Sequence, residues 1–439
     1  MPSRSLARLR VTALLLLGAL LAPPLAAAPQ IQTWTTPNGV RVLFIAADAL
    51  PMVDVEVVFD AGSARDGALP GLALLTSGLL GEGAGGYDAD AIAGTFEGLG
   101  ARFGAQADRD LASVSLRSLT DPQLLEPALE LLATILAEPT FAAPDFGREL
   151  DRMKVALQAQ KQSPGDLAEQ AFYAALYGDH PYAAPPAGSE ASLAALTRDD
   201  VAAFHRRHYV ARNALLAIVG AVDRAQAEAL ATRVTAGLAA GEPAPPLPAV
   251  PALDGPREVH VEFPSAQTHV LVGQPGIGRG DPDYFALYLG NHVLGGSGLV
   301  SRLNDTVREQ RGLAYSVYSY FLPLRQPGPF QMGLQTRNDQ AAEALALLDS
   351  ELVRYVAEGP SGEELEFARR SVTGGFPLRI DSNRKLLGYL ATIGFYGLPL
   401  DYLDRFNAQI DAVTLEQVRA ALARRLAPDR LVTVTVGPA

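Results

Sequence analysis

The stretch that decides the fold is Leu196-Thr-Arg-Asp-Asp-Val-Ala-Ala-Phe204, because its pattern recurs 217 residues later as Val413-Thr-Leu-Glu-Gln-Val-Arg-Ala-Ala421. In each copy a threonine, Thr197 or Thr414, stands at a position that favours a helix N-cap. The match continues without a gap to an apolar strand, which ends at Gly220 in the first copy and at the matching glycine in the second. Each half of the chain is therefore predicted to end in a helix, a short turn and a strand.

The beginnings of the two halves agree more loosely. Val53, Val55 and Val57 alternate with acidic residues, which is the period of a strand with one buried face. In the first half a loop follows and then an apolar helical stretch over residues 69–80; in the second half the corresponding stretch covers residues 284–294. Both halves are predicted to begin with a strand, a loop and a helix.

Between the halves lies the sequence GEPAPPLPAVPALDGP, residues 241–256, whose proline content forbids a helix and favours an extended connector. We therefore expect an N-terminal domain over residues 29–240 and a C-terminal domain over residues 257–439. The predicted fold class is α+β, with two homologous domains of sheet plus helices that derive from one duplicated ancestor.

The first residues are typical of a Sec-type signal peptide. Arg4, Arg8 and Arg10 precede an apolar run over residues 11–22, and prolines and small residues follow up to Ala28. The run is shorter than the roughly 20 residues that a membrane-spanning helix needs. We expect residues 1–28 to be removed on export and the mature chain to be periplasmic, with no membrane segment.

Composition excludes several classes of function. The 439 residues include 36 Lys and Arg against 48 Asp and Glu, a net charge of −12, so the chain has no basic footprint for nucleic acid. It has no cysteine, which excludes a disulfide framework, a cysteine-ligated metal site and a thiol nucleophile.

Several short motifs carry a family resemblance. They include Asp60-Ala-Gly-Ser63, Gly71-Leu-Ala73, Asp179-His-Pro-Tyr182 and the continuous stretch from Ser301-Arg-Leu303 to Val307-Arg-Glu-Gln-Arg-Gly-Leu-Ala-Tyr315. Over essentially the whole mature chain the sequence resembles the pitrilysin/insulinase-type metallopeptidases, to which the mitochondrial processing peptidase is also similar. The resemblance implies two halves of LuxS/metallohydrolase-like architecture that form a clamshell around a chamber.

The zinc motif of that family is altered in this chain. Active members carry H-x-x-E-H on the first helix of the N-terminal half, where the histidines bind zinc and the glutamate is the general base. Leu74 and Gly78 stand at the two ligand positions, and Ser77 stands at the position of the base. The third ligand of the family is a glutamate on a later helix, and we expect its position near Ala159. Since these residues offer zinc no ligand, the sequence predicts no metal on this chain.

The C-terminal half keeps a different part of the family's site. The resemblance implies an arginine and a tyrosine, seven residues apart, that contact the substrate carbonyl, and Arg308 and Tyr315 match this pair in type and spacing. A guanidinium and a phenol are suitable donors to an oxyanion. The alternative is structural: Arg308 pairs with Asp305 on a helix surface, and Tyr315 packs on the sheet.

Histidines and glycines elsewhere suggest weaker candidates. His205 and His208 have helical spacing, with His180 upstream, but the two arginines between them would repel a cation, and we interpret all three as structural. The G-x-G-x-x-G pattern over residues 81–86 follows a helix rather than a strand, which indicates a helix stop and a loop.

The resemblance thus implies a non-catalytic, zinc-free subunit of an exported insulinase-like metallopeptidase. Its partner would be a homologous subunit that carries H-x-x-E-H and the zinc, while this chain supplies Arg308 and Tyr315. The substrate would be a peptide or an unfolded polypeptide. The alternative is a peptide-binding or scaffolding protein without a peptidase role, and on either reading the chain alone is not expected to hydrolyse peptides.

Overall fold

A computed structural model describes residues 30–438 of the protein. The predicted signal peptide, residues 1–28, lies outside the described residues. No helix within residues 30–438 is both long and apolar enough to cross a membrane.

The described chain alternates strands and helices in two similar series. The strands are β1 (Gln32–Thr35), β2 (Arg41–Ala46), β3 (Met52–Phe59), β4 (Gly83–Ala84), β5 (Tyr87–Asp88), β6 (Arg102–Ala107), β7 (Ala112–Leu119), β8 (Ala214–Gly220), β9 (Arg257–Glu262), β10 (Gln267–Pro275), β11 (Ala314–Phe321), β12 (Pro329–Arg337) and β13 (Val432–Gly437). The helices are α1 (Leu72–Leu79), α2 (Ala89–Gly98), α3 (Pro122–Ala137), α4 (Ala143–Gln160), α5 (Pro164–Tyr177), α6 (Glu190–Ala195), α7 (Arg198–His208), α8 (Arg224–Thr235), α9 (Tyr284–Asn291), α10 (Ala341–Glu358), α11 (Gly362–Gly375), α12 (Asn383–Tyr396), α13 (Tyr402–Ala412) and α14 (Leu415–Arg425).

The two large sheets share one topology. The N-terminal sheet has the order β1-β2-β8-β3-β7-β6, and the C-terminal sheet, read from its β9 edge, has the order β9-β13-β10-β12-β11. Apart from β1, each strand of the first sheet has a counterpart at the same place in the second. In both sheets one pair of neighbouring strands is parallel, β2 with β8 and β9 with β13, and the other pairs are antiparallel. The predicted α+β fold of two sheet-plus-helix domains is confirmed.

The repeated helix starts are confirmed at atomic detail. The Thr197 hydroxyl accepts a hydrogen bond from Asp200 N at 3.2 Å, and the Thr414 hydroxyl accepts one from Gln417 N, also at 3.2 Å. In return, the backbone N–H of each threonine donates a hydrogen bond to the side chain of the third helical residue, which is Asp200 in α7 and Gln417 in α14. Each helix therefore begins with a capping box.

Two helices, which we call the exchanged helices, join the halves. α5 belongs to the first half but packs on β13, β10 and β9 of the C-terminal sheet, whereas α12 belongs to the second half and packs on β8 and β3. Leu215 and Val219 of β8 therefore share a hydrophobic core with Leu390 of α12. Because each sheet buries one face against a helix from the other half, two of the hydrophobic core clusters contain residues of both halves.

A buried carboxylate ties the halves together at the same interface. Asp110, only 3% exposed, accepts hydrogen bonds from the Tyr182 hydroxyl at 2.5 Å and the Tyr396 hydroxyl at 2.9 Å. It also accepts one from Arg325 N at 2.7 Å. Tyr182 precedes the proline-rich linker, while Tyr396 and Arg325 follow it, so one side chain holds donors from both halves.

The proline-rich segment of residues 241–256 contains no helix or strand, and it contacts the protein at several points. Leu247 and Leu253 are buried in the core that contains α5. The Pro245 carbonyl accepts from Arg65 Nη1 at 2.7 Å, and the Pro248 carbonyl lies 3.0 Å from His180 Nε2. The linker therefore fixes the two halves rather than serving as a hinge.

Candidate functional site

The altered zinc motif lies on α1, which a buried aspartate holds in place. Asp66 Oδ2 accepts from Gly71 N and Asp66 Oδ1 accepts from Ala73 N, both at 2.8 Å, so the carboxylate caps the helix start. Burial raises the pKa of Asp66 to about 7, although these N–H groups act in the opposite direction. Leu74 and Gly78, one turn apart, are partly exposed on the same helix face, whereas Ser77 is buried.

An acidic residue from α4 faces this motif. A β-carbon on Gly78 would lie 2.8 Å from Glu149 Oε1, which shows how closely the carboxylate approaches α1. Glu149 is 9% exposed, and its Oε2 lies 2.7 Å from Arg152 Nη1. The positive charge beside this carboxylate is thus a guanidinium of the same helix. With Leu74 and Gly78 as its neighbours, the carboxylate has no second metal ligand from α1.

The position expected for the third ligand, Ala159, lies elsewhere. It is exposed on the last turn of α4, about 15 Å along the helix axis from Glu149 at 1.5 Å per residue. Glu149, and not Ala159, is the α4 residue that stands against the altered motif. The sequence contained a partial signal for Glu149, because Glu149 and Arg152 have the spacing of a helical ion pair. Only the packing of α4 on α1, however, brings the Glu149 carboxylate against Gly78.

The position of the general base is closed off from solvent. Ser77 is 1% exposed, and the hydroxyl of Tyr209, at the end of α7, lies beside it. Burial raises the pKa of the Tyr209 phenol, so this hydroxyl stays protonated. Ser77 therefore faces a neutral phenol in a buried contact between α1 and α7, and neither hydroxyl is a base that could activate water.

The histidines considered as a displaced metal site are structural. His205 Nε2 lies 3.1 Å from the Leu136 carbonyl, and burial lowers the pKa of His205 to about 4. His180 instead contacts the linker. Within residues 30–438 no group of three or more histidine or acidic side chains is arranged to hold a metal ion.

The C-terminal candidates, Arg308 and Tyr315, lie on two adjacent irregular segments. Arg308 is in a π-helical turn, Asn304–Glu309, and such turns are frequent at functional sites. Tyr315 is on β11, an edge strand of the C-terminal sheet, where the register with β12 shifts between Ala314 and Val317. This irregularity turns consecutive side chains outward, and Tyr315 is 86% exposed.

The two side chains contact each other. The Arg308 guanidinium carbon lies 5.2 Å from the centroid of the Tyr315 ring, which is within the range of a cation–π contact. The nearest carboxylate to Arg308 is Glu309 at 3.7 Å, while Asp305 accepts a hydrogen bond from Gln310 instead. The structural alternative, a pair with Asp305 and a tyrosine packed on the sheet, does not describe this arrangement.

The pair and the altered motif are separate in this chain. Among residues 30–438, no hydrogen bond, ion pair or ring contact joins Arg308 or Tyr315 to Leu74, Ser77 or Gly78. The chain has a partly exposed arginine beside an exposed tyrosine in its C-terminal half, and a contact between α1 and α4 at the altered motif in its N-terminal half.

Comparison with known proteins identifies the family. Residues 41–190 match the family model described as Insulinase (Peptidase family M16), and residues 195–372 match the one described as Peptidase M16 inactive domain. An uncharacterized zinc protease of Mycobacterium bovis is 30% identical over 425 residues, 95% of this chain and 95% of the relative. One of Mycobacterium leprae is 29% identical over 411 residues, 92% and 91% of the two chains. The chain belongs to the insulinase (M16) peptidase family.

Solved structures agree with this assignment. The crystal structure of a peptidase M16 inactive domain from Pseudomonas fluorescens aligns with a TM-score of 0.90 at 43% identity, covering 93% of this chain and 98% of that one. A protease from Helicobacter pylori aligns with a TM-score of 0.84 at 19% identity, covering 93% and 100%, a likeness of fold alone.

Proposed function

We propose that this chain is the zinc-free subunit of an exported insulinase-like peptidase and that it contributes Arg308 and Tyr315 to a site completed by a zinc-bearing homologous subunit. The observation that carries the proposal is the pair itself: a guanidinium stacked 5.2 Å from a phenol ring that is 86% exposed. A tyrosine with so little of its surface covered is free to contact another molecule.

The chemistry of the pair suits the stabilisation of an oxyanion. As a peptide bond is attacked, charge develops on the carbonyl oxygen, and a charge-assisted donor from Arg308 and a neutral donor from Tyr315 would bind that charge. The zinc, its ligands and the general base would come from the partner, because Leu74, Ser77 and Gly78 supply none of them. Export to the periplasm is part of the proposal and is supported by the sequence of residues 1–28.

The substrate class follows from the position of Tyr315. β11 is an edge strand, so its outer backbone N–H and C=O groups are available to an added strand. A peptide or an unfolded polypeptide that paired with this edge would run past Tyr315. Substrate selection would then depend first on an extended backbone and only second on side chains.

The test is to isolate the mature chain from its native periplasmic extract and assay the eluate with and without a zinc chelator. We expect a relative with an intact H-x-x-E-H to co-elute and the peptidase activity to be chelator-sensitive. In the reconstituted complex, Arg308→Gln and Tyr315→Phe should each lower kcat by roughly 10- to 1000-fold, the range for loss of an oxyanion donor.

The matched control is Arg311→Gln, because Arg311 is exposed, lies three residues from Arg308 and pairs with Glu343 at 3.5 Å. It should leave kcat unchanged. Turnover that is unaffected in both the Arg308 and the Tyr315 variant would refute their role. A lone, inactive chain in the eluate would favour a peptide-binding or scaffolding protein instead.

A further inference from the structure

A cleft lies in the C-terminal half among α9, α12 and α13, and neither Arg308 nor Tyr315 lines it. It consists of two adjoining cavities of about 300 Å³ and 490 Å³. Arg279, Tyr284 and Tyr402 line both cavities, so the two form one continuous cleft. We call it the aromatic cleft.

One end of the aromatic cleft is cationic. Arg379 and Lys385 line it together with Arg279. Lys385 pairs with Asp381 at 2.9 Å, but among residues 30–438 neither arginine has a carboxylate within 4.0 Å. Arg379 Nη1 donates to the Tyr288 hydroxyl at 2.6 Å, and the buried Nε of Arg279 has no hydrogen-bond partner. Arg379 is exposed, but Arg279 is partly buried, where a charge without a counter-ion is disfavoured.

The acidic residues in the wall are already neutralised. Asp401 lies 3.6 Å from Arg405, and Asp281 lies 3.0 Å from Arg425. They do not reach Arg279, which leaves its charge available to a ligand.

The other end of the aromatic cleft is apolar. Phe285, Leu398 and Pro399 line it, and Phe285 stacks on Tyr402 with ring centroids 6.2 Å apart. Burial raises the pKa of Tyr288 and Tyr389 at the cationic end, so their phenols remain neutral. The cleft therefore places apolar surface next to unpaired guanidinium groups.

We propose that the aromatic cleft binds a carboxylate carried next to an apolar group on a peptide, with Arg279 and Arg379 as the carboxylate partners and Phe285 and Leu398 against the apolar group. A guanidinium matches a planar carboxylate through two parallel hydrogen bonds. The carboxylate could come from the C-terminus of a peptide or from an acidic side chain. The site is independent of the function proposed for Arg308 and Tyr315.

The experiment is calorimetric titration of the full mature chain with three short peptides. The first is Ala-Ala-Ala-Phe with a free C-terminus, the second is the same peptide amidated, and the third is amidated Ala-Ala-Glu-Phe. We expect the free acid to bind at least about tenfold more tightly than its amide, as loss of a charged pair implies. Tight binding of the third peptide would assign the carboxylate to a side chain as well, and its failure to bind would assign it to the C-terminus.

Variants of the chain complete the test. Arg279→Gln and Arg379→Gln should each weaken binding of the free acid at least about tenfold. Arg405→Gln is the matched control, because Arg405 lines the same cleft but is paired with Asp401, and it should change the affinity less than twofold. Equal binding of acid and amide by the unaltered chain, no saturable binding of either carboxylate peptide, or displacement by inorganic phosphate at equal concentration would each overturn the proposal. The comparison of peptides needs no variant and so does not depend on how the variants fold.

Discussion

Glu149 reaches so close to Gly78 that a single β-carbon on the glycine would lie 2.8 Å from its carboxylate oxygen. Gly78 stands at the second metal-ligand position of the zinc motif, and Leu74 stands at the first, one helical turn earlier. The position of the general base is taken by the buried Ser77. The altered zinc motif is thus packed against α4, and a larger side chain at position 78 would have to move the Glu149 carboxylate. Reversion of the motif would have to displace Glu149 from its pair with Arg152.

Gly78→His is therefore expected to push the nearly buried Glu149 carboxylate out of its pair with Arg152 and to destabilise the protein by about 1–3 kcal/mol. Urea denaturation measures the change. The matched control is Gly94→His on α2, where a β-carbon meets no atom within 4 Å. It should leave the free energy of unfolding nearly unchanged, and equal losses for both variants would contradict the packing argument.

The exchanged helix α12 provides a second prediction. A β-carbon on Gly394 would overlap the methyl groups of Leu215 on β8, so Gly394→Ala should destabilise the protein by about 1–3 kcal/mol. Gly388, on the same helix, has nothing within 4 Å, and Gly388→Ala should instead stabilise by about 0.5–1 kcal/mol through helix propensity. Thermal unfolding of the two variants distinguishes them. A stabilising Gly394→Ala would mean that α12 does not pack this closely on the N-terminal sheet.

Removal of the carboxylate that joins the halves should have a larger effect. Asp110→Ala leaves the Tyr182 and Tyr396 hydroxyls and Arg325 N without their buried acceptor, so we expect a loss of about 3–5 kcal/mol in the free energy of unfolding. As a control, Asp401→Ala removes an exposed ion pair with Arg405 and should change the free energy of unfolding by less than about 1 kcal/mol. Chemical denaturation tests both, and similar values would exclude a special role for Asp110.

Acid should act through His205. Its folded-state pKa of about 4 lies below the ordinary value of 6.5, so the unfolded chain binds the proton more readily. The stabilisation from the neutral ring is complete above pH 6.5 and is lost as the pH falls toward 4. In wild type the loss should be about 3 kcal/mol. The His205→Gln variant has no ring to protonate and therefore does not lose this stabilisation. The unfolding free energy of wild type minus that of the variant should thus fall by about 3 kcal/mol between pH 7 and pH 4.

The control for this measurement is His260→Gln, the same change at an exposed position. Every other titrating group is common to the compared proteins, including Asp66, whose raised pKa has the opposite effect on stability over the same range. A wild-type-minus-His205→Gln difference that stays constant between pH 7 and pH 4 would show that His205 is not held neutral.

The sequence by itself determined the local features and their repetition. The caps at Thr197 and Thr414 and the strands that follow them depend on neighbouring residues, so short patterns predict them. The absence of zinc ligands at Leu74 and Gly78 is likewise a matter of residue type. The Arg308–Tyr315 spacing could be read directly, but not that the two side chains would touch each other.

Only the tertiary structure decided which half each helix covers, which acid faces Gly78, and which donors Asp110 holds. The two exchanged helices pack on the sheet of the opposite half, and no periodicity in α5 or α12 specifies which sheet buries its apolar face. Glu149 was missed for the same reason, since its role arises from contact between two helices about 70 residues apart in the chain. Local patterns determine whether a face is apolar, whereas the choice of its partner depends on long-range packing of the whole chain.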